Sequence, residues 1–481
     1  MSRPFSAFRA NARDHRAGIL VAGLSSAFGV ALVGGVNVLG AYIGASQMGE
    51  HGSVQIALAV VAGIFFAVAV YVGAIVTTNT FATVIAGRTR TIALLRLIGS
   101  SSRAQRRSVA GEGLTVGLIG GVIGGAAAAA LALGAVRILV AVGVLPDAAY
   151  PVLSLTMIPP VIVVVLTTWL ASWVGSRRVL TVTPIEALGA AQERPAQALR
   201  TRGRLAGALV LLVPGVALLV LGLLLGLGVL VRLGGLFESV SSYGVLVAMA
   251  GGILSFTGIV LAAPFFLPGV LRLVGLAFGR GAAGRLAAAN AVRNPERSSR
   301  TAIGLVIGVT LITMFVVAAS SWLQQIQEAS AKEPGMYEGA DSIIGGTLAV
   351  FTVLVGFSAV IAACGVVNTL SVSVLQRRRE LGLLRALGFS AVQIRRMILA
   401  ESAQLIVASV LTGLVLGTAY GWIGAQSLLG MIPGGGLLAP ALPWPFLVAI
   451  ALCAAALAVI AALAPTRRAT RVSPVEALAV E

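Results

Sequence analysis

The chain of 481 residues is too apolar for a soluble protein, because 58% of its residues are hydrophobic and only 10% are charged, against roughly 45–50% and 25% in soluble domains. The net charge of +18 does not indicate a nucleic-acid partner, since the arginines lie in short clusters between apolar stretches, where they orient membrane spans. The two cysteines, Cys364 and Cys453, also lie in apolar stretches and predict neither a disulfide nor a metal site.

Apolar stretches predict an all-α polytopic membrane protein. A helix needs about 20 mostly apolar residues to cross the hydrocarbon core of a bilayer, and ten stretches meet this requirement. They lie near residues 17–43, 55–85, 110–142, 153–175, 205–231, 243–273, 301–321, 347–375, 399–427 and 445–465. The tryptophans near the ends of these stretches are expected to be interfacial anchors or packing residues.

The basic residues predict the orientation of the spans. Of the 34 lysines and arginines, 31 lie in six segments and three lie elsewhere. The six segments are residues 1–16, 86–112, 176–204, 272–300, 376–398 and 466–481. Because cytoplasmic loops are enriched in basic residues, both termini are predicted to be cytoplasmic.

Two segments 289 residues apart are nearly alike. Residues 92–112 read IALLRLIGSSSRAQRRSVAGE, and residues 381–401 read LGLLRALGFSAVQIRRMILAE. A second pair, 177–188 and 467–478, agrees at an offset of 290. This duplication predicts a 4+2+4 arrangement of helices, in which a two-helix insert keeps both repeats in the same membrane orientation. The predicted domains are 1–190 for the first four-helix repeat, 191–275 for the linker and insert, and 276–481 for the second repeat.

Residues 368–401, with a basic run, Glu380 and the stretch LGLLRALG, resemble the signature of the FtsX/MacB-like family of ABC-transporter permeases, which includes mechanotransmission-type members. The closing SPVEAL at 473–478 is also typical of that family. The resemblance implies a permease that is not itself an enzyme and that docks a separate homodimeric ATPase through cytoplasmic coupling helices, one between the second and third spans of each repeat. ATP and magnesium would be bound by that ATPase, since this sequence contains no GxxxxGK[ST] phosphate loop.

The sequences of the two predicted coupling helices indicate which residues would contact the ATPase. Leu381, Leu384 and Leu387 recur at a spacing that forms one apolar helical face, suited to a groove on a partner. The expected contacts are Leu94, Leu95, Arg96 and Ile98 in the first copy, and Arg377, Arg378, Arg379, Glu380, Leu381, Leu384, Arg385 and Leu387 in the second. Either segment alone would also suit a helix lying on the membrane surface, but the duplication at a fixed offset favours docking. The first copy is poorer in charge, so it is expected to dock less strongly.

Two glutamates, Glu112 and Glu401, are predicted to lie in the first turn of the third and ninth spans. One interpretation makes them part of a coupling switch. The other makes them caps, because a carboxylate at a helix N-terminus stabilises the helix macrodipole.

The expected function is that of a permease in the bacterial cytoplasmic membrane that exports or extracts a lipid, lipopeptide or other amphiphile. A mechanotransmission or scaffold role, in which the chain regulates an extracytoplasmic or membrane partner protein, is an alternative. The outer loops, near 44–54 and 322–346, are too short to form the large outer domain of many relatives. A secondary transporter is an alternative of another class, although the spans hold no convincing carboxylate site.

Overall fold

The computed structural model of the chain describes residues 12–44, 63, 67–68, 70–71, 74–75, 77–78, 89–142, 150–151, 153–177, 202–230, 243–277, 289, 295–332, 345, 352, 355–356, 359, 390–429, 436–453 and 455–456. Within these residues the regular structure is helical, without a β-strand. The helices are α1 (Ala12–Gly44), α2 (Thr89–Leu97), α3 (Ser102–Ala141), α4 (Ile158–Gly175, preceded by a 3₁₀ turn at Leu155–Met157), α5 (Arg202–Gly226), α6 (Gly244–Ala277), α7 (Pro295–Lys332), α8 (Ala391–Leu429) and α9 (Trp444–Cys453).

Seven of these helices, α1 and α3 to α8, are long and apolar enough to cross a membrane. They confirm seven of the ten predicted spans and the all-α class. Two further predicted spans, 55–85 and 347–375, lie mostly outside the described residues, and the last, 445–465, begins with the short apolar helix α9. The ten-span count, the 4+2+4 arrangement and the cytoplasmic termini therefore stay predictions.

Helix α3 is the centre of the first compact unit, Met1–Gln192. Its Gly120 and Gly124 lie against α1, whereas Gly117 lies against α4. A Cβ atom on Gly120 would lie 2.6 Å from the carbonyl oxygen of Ile19, so a side chain has no room there. Small residues let helix backbones approach closely in lipid, where van der Waals packing replaces the hydrophobic effect. The glycines of α3 therefore determine how closely α1 and α4 pack on it.

The second compact unit, Glu193–Glu481, contains α5 to α9, the helices assigned by prediction to the insert and to the second repeat. Helix α5 packs along α6, α7 packs along α8, and α6 also contacts α8. Between α6 and α8, Ser255 Oγ and Tyr420 Oη are hydrogen-bonded at 2.9 Å. The ring of Phe256 packs edge-on against that of Tyr420, with centroids 5.9 Å apart. Helix α6 is thus fixed to α8 by polar and apolar contacts.

One helix pairing occurs in both units. Helix α1 packs along α3 in the first unit, and α7 packs along α8 in the second. At positions 289 residues apart, Gly124 faces α1 and Gly413 faces α7. Helices α3 and α8 thus each meet a neighbouring helix at a glycine in the same register, which agrees with the duplication in the sequence.

Residues 436–443 lie across the ends of α7 and α8 in the second unit. The amide of Gln325 donates to the carbonyl oxygen of Gly436 at 2.9 Å. The indole nitrogen of Trp422 donates to the carbonyl oxygen of Leu438 at 2.8 Å. These side chains satisfy backbone carbonyls that have no helical partner, which fixes a non-helical segment before α9.

Candidate functional site

Helix α2 ends in a tight turn that requires glycine. The amide of Ser100 donates to the carbonyl oxygen of Leu95 at 2.9 Å, which is the six-residue hydrogen bond of a Schellman motif. Gly99 has a φ of +98°, a conformation that glycine adopts without strain. Because α3 starts at Ser102, only residues 98–101 separate it from α2. We call α2, this turn and the first two turns of α3 the α2–α3 junction.

Serine caps begin the next helix at the same place in both repeats. In the first repeat, Ser101 Oγ accepts a hydrogen bond from the amide of Ala104 at 3.2 Å. In the second repeat, Ser390 Oγ accepts from the amide of Gln393 at 3.2 Å, and Gln393 Oε1 accepts from the amide of Ser390 at 2.9 Å. This reciprocal pair is a capping box. The local chemistry that starts the third span is therefore duplicated together with the sequence.

Three apolar side chains of the junction form an exposed stripe. Leu94 and Leu97 are each 50% exposed and Ile98 is 81% exposed. Their spacing of three and four residues places them on one face of the helix. Ile92 and Ala93, by contrast, are buried, so the opposite side of α2 packs against the protein. The stripe is therefore an apolar surface of which half or more is exposed.

This stripe differs from the apolar face that the sequence predicted. The predicted face, Leu381, Leu384 and Leu387, corresponds to Ile92, Leu95 and Ile98 in the first copy, of which Ile92 is buried and Leu95 is partly buried. Leu97 was missed, although its spacing from Leu94 was a usable signal. Of the other predicted contacts, the side chain of Arg96 and the whole second set, residues 377–387, lie outside the described residues. Contact with an ATPase stays a prediction for all of them.

Arg106 links the junction to the end of α4. Its guanidinium carbon lies 4.0 Å from the centroid of the Trp173 ring, a cation–π contact. Its Nε donates to Ser176 Oγ at 3.3 Å, and a terminal nitrogen donates to the carbonyl oxygen of Trp173 at 3.3 Å. A cation here also compensates the negative end of the α4 macrodipole. The start of α3 and the end of α4 are therefore held together by one side chain.

The prediction that Glu112 and Glu401 cap helix N-termini is wrong. Helix α3 begins at Ser102 and α8 at Ala391, each ten residues before its glutamate. At 1.5 Å per residue each carboxylate is about 15 Å from the helix start, whereas the macrodipole acts within the first turn. The sequence reasoning took the start of the apolar stretch as the start of the helix. A switching role for these glutamates stays a prediction.

The long apolar helices and the serine caps at matching positions define a polytopic membrane protein with an internal duplication. A family model described as the FtsX-like permease C-terminal domain matches residues 63–184 and 351–474, one match in each repeat. The chain therefore belongs to the FtsX-like permease family, and it is an ABC transporter permease of the FtsX/MacB-like type.

The chain is also similar to individual ABC transporter proteins over part of its length. The chain is 29% identical to MacB of Rhodopirellula baltica, named a macrolide export ATP-binding/permease protein, over 147 residues, which cover 29% of this chain and 19% of MacB. It is 31% identical to PvdT of Pseudomonas entomophila, named a pyoverdine export ATP-binding/permease protein, over 144 residues, 29% of this chain and 19% of PvdT. It is 30% identical to the ABC transporter permease YtrF of Bacillus subtilis over 130 residues, 25% and 29% of the two chains. The matched region thus spans about a fifth to three-tenths of each of these relatives.

Proposed function

We propose that the chain is the permease subunit of an ABC exporter in the bacterial cytoplasmic membrane, and that it couples ATP hydrolysis by a separate ATPase dimer to movement of its two repeats. The observation that carries this proposal is the exposed stripe of Leu94, Leu97 and Ile98 on a short helix beside a membrane span. An apolar helix face of this kind suits a hydrophobic groove on a partner protein. Relatives named for both ATP binding and permease activity support a partner that binds ATP.

In this proposal the α2–α3 junction transmits movement of α2 to α3 and α4. A turn closed by a Schellman motif and followed at once by the Ser101 cap allows little bending between α2 and α3. Arg106 then ties the start of α3 to the end of α4. A displacement of α2 by the ATPase would therefore move α3 and α4 together. In this scheme the permease supplies no catalytic group, and ATP and magnesium are bound and used by the ATPase.

The substrate that we propose is an amphiphile, such as a lipid or lipopeptide. The spans offer long apolar faces and few ionisable groups, and such a surface accommodates acyl chains better than hydrophilic solutes. The relatives MacB and PvdT are named for export of a macrolide and of pyoverdine, which supports export as the direction of transport. In the alternative proposal, the movement of the repeats acts on a partner protein and nothing crosses the membrane.

The first prediction tests the subunit assignment. We expect the tagged chain to copurify with an ABC ATPase encoded next to it when hydrolysis is blocked with vanadate. In nanodiscs, we expect the ATPase rate of the complex to rise several-fold when an amphiphilic substrate is added. Stimulation by a partner protein, with no amphiphile transported, would instead support the mechanical alternative. Failure of any ABC ATPase to bind would contradict the proposal as a whole.

The second prediction tests the orientation. Ala104 at the start of α3 and Ala331 at the end of α7 are both exposed. We would replace each by cysteine in a chain that has serine at Cys364 and Cys453, and treat intact cells with a membrane-impermeant maleimide. Because the basic segments are expected inside, only the cysteine at 331 should be labelled in intact cells. The cysteine at 104 should react only after the cells are permeabilised. The reverse pattern would overturn cytoplasmic termini.

A further inference from the structure

The end of α4 marks one boundary of the hydrocarbon core. Helix α4 has 18 residues and is therefore about 27 Å long, close to the roughly 30 Å of a bilayer core. Trp169 and Trp173, on its last two turns, are each about two-fifths exposed. Tryptophan is enriched at the level of the lipid headgroups. The length of the helix and its exposed indoles thus place Trp173 at the membrane–water interface.

Arg106 contacts Trp173 at this level, and three further arginines lie within one helical turn of one of these two residues. Arg103, Arg106 and Arg107 lie three and four residues apart at the start of α3, on one helical face. The contact between Arg106 and Trp173 fixes the depth of this face relative to α4. Arg177, two residues past the end of α4, is exposed, as are Arg103 and Arg107. Four positive charges therefore lie within one helical turn of the contact between Arg106 and Trp173.

Arg106 is held in position by neutral groups. Its three described contacts are with the ring and the carbonyl oxygen of Trp173 and with the hydroxyl of Ser176. These contacts use two of the five guanidinium N–H donors. The remaining donors and the full positive charge stay available to an anion. Arginine donors pair well with phosphate oxygens because of the planar fork of the guanidinium.

Apolar side chains continue this surface towards the membrane centre. On α4, Leu170 and Leu166 are each more than half exposed and lie one and two turns, respectively, before Trp173 and Val174. A phosphate held by the arginines would therefore have these two leucines of α4 directly below it, on the lipid side. A free phosphate ion would gain nothing from the leucines, whereas an acyl chain would pack along them.

We propose that the ends of α3 and α4 form a binding site for an anionic phospholipid, with the headgroup phosphate on Arg103, Arg106, Arg107 and Arg177 and an acyl chain along Leu170 and Leu166. The lipid belongs to the leaflet that the C-terminal end of α4 faces. This site is independent of ATPase docking, so it stands or fails separately from the proposed function.

The third prediction tests this site through fluorescence. We would replace Trp169, Trp322, Trp422 and Trp444 by Phe, which leaves Trp173 as the single fluorophore, and reconstitute the protein in nanodiscs. Phosphatidylglycerol brominated at carbons 6 and 7 is expected to quench Trp173 several-fold more strongly than equally brominated phosphatidylcholine at the same mole fraction. The double substitution R103Q/R107Q should remove most of this preference. The matched control R137Q, at the other end of α3, should leave it unchanged.

Several outcomes would overturn the proposal. Equal quenching by the two lipids would do so, as would an R103Q/R107Q protein that keeps the full preference. Loss of the preference in millimolar inorganic phosphate would show a site for a soluble anion instead of a lipid. As a second measurement, independent of any variant, native mass spectrometry of the delipidated wild-type protein should retain phosphatidylglycerol at collision energies that remove phosphatidylcholine. Equal retention of both lipids would also count against the site.

Discussion

Replacement of Leu94 by glutamate is expected to release the ATPase from the permease. Leu94 is half exposed and forms the apolar stripe together with Leu97 and Ile98. In the docked complex its side chain would lie in an apolar groove, where an unpaired carboxylate costs several kcal/mol. A penalty of about 3 kcal/mol corresponds to a loss of affinity of roughly a hundredfold. The measurement is copurification of the ATPase together with the ATP hydrolysis rate of the reconstituted complex.

Two matched variants separate docking from folding in this experiment. A104E places the same charge on a neighbouring exposed position outside the stripe, and it should bind the ATPase normally. L94M keeps an apolar side chain of similar volume and should also bind normally, since such exchanges are well tolerated. All three proteins should unfold at similar temperatures, because Leu94 is not part of the core. A complex that forms equally well with L94E would remove the stripe from the coupling surface.

The second copy provides a comparison within the same chain. Leu383 is the counterpart of Leu94, 289 residues later. The same substitution there is expected to weaken docking more, because the second copy has Glu380 where the first has Thr91 and so offers more charged contacts. Equal losses at Leu94 and Leu383 would indicate that both copies engage the ATPase with similar strength.

The apolar stretches predicted the spans well because the bilayer requires a fixed length of apolar helix. The predicted windows 205–231 and 243–273 differ from α5 and α6 by at most five residues at either end. The third span shows where this signal fails, since its window begins at residue 110 whereas α3 begins at Ser102. Hydropathy reports where a helix enters lipid, while the Ser101 cap decides where the helix itself begins. The eight residues between these points carry Arg103, Arg106 and Arg107, on which both the junction and the proposed lipid site depend.

The duplication located the junction but could not orient α2. A helix with Leu or Ile at positions 92, 94, 95, 97 and 98 has apolar residues around most of its circumference. Which of them face outward depends on what the rest of the protein covers, and here it covers Ile92 and Ala93. The contact between Arg106 and Trp173 joins residues 67 positions apart in the sequence. No local spacing signals a contact of that kind, so tertiary structure was needed to find it.

The glycines of α3 differ in how closely they approach a neighbouring helix. Gly124 packs directly against the backbone of Gly23 on α1, whose Cα atom would lie 2.7 Å from a Cβ on residue 124. Gly134 lies on the same helix ten residues later and has no neighbouring atom within 4 Å of the same added Cβ. Both glycines are helical, but of these two only Gly124 lies against a neighbouring helix.

A single methyl group should therefore have opposite effects at these two positions. G124A would push α1 away from α3, since backbone atoms cannot move aside as a flexible side chain would, and overpacking of this kind costs roughly 2–3 kcal/mol. G134A should instead stabilise the protein by about 0.5–1 kcal/mol, because alanine loses less conformational entropy in a helix than glycine does. We would measure the unfolding temperature of both variants in the same detergent, with a clear decrease expected for G124A and none for G134A.

Gly413 is the repeat counterpart of Gly124, and a Cβ atom added there would lie 2.7 Å from Val309 Cβ. G413A should therefore behave like G124A, because a β-branched side chain is stiff. Equal unfolding temperatures for G124A and G134A would mean that glycine at position 124 does not set the distance between α1 and α3, and the shared register of the two repeats would then have no consequence for packing.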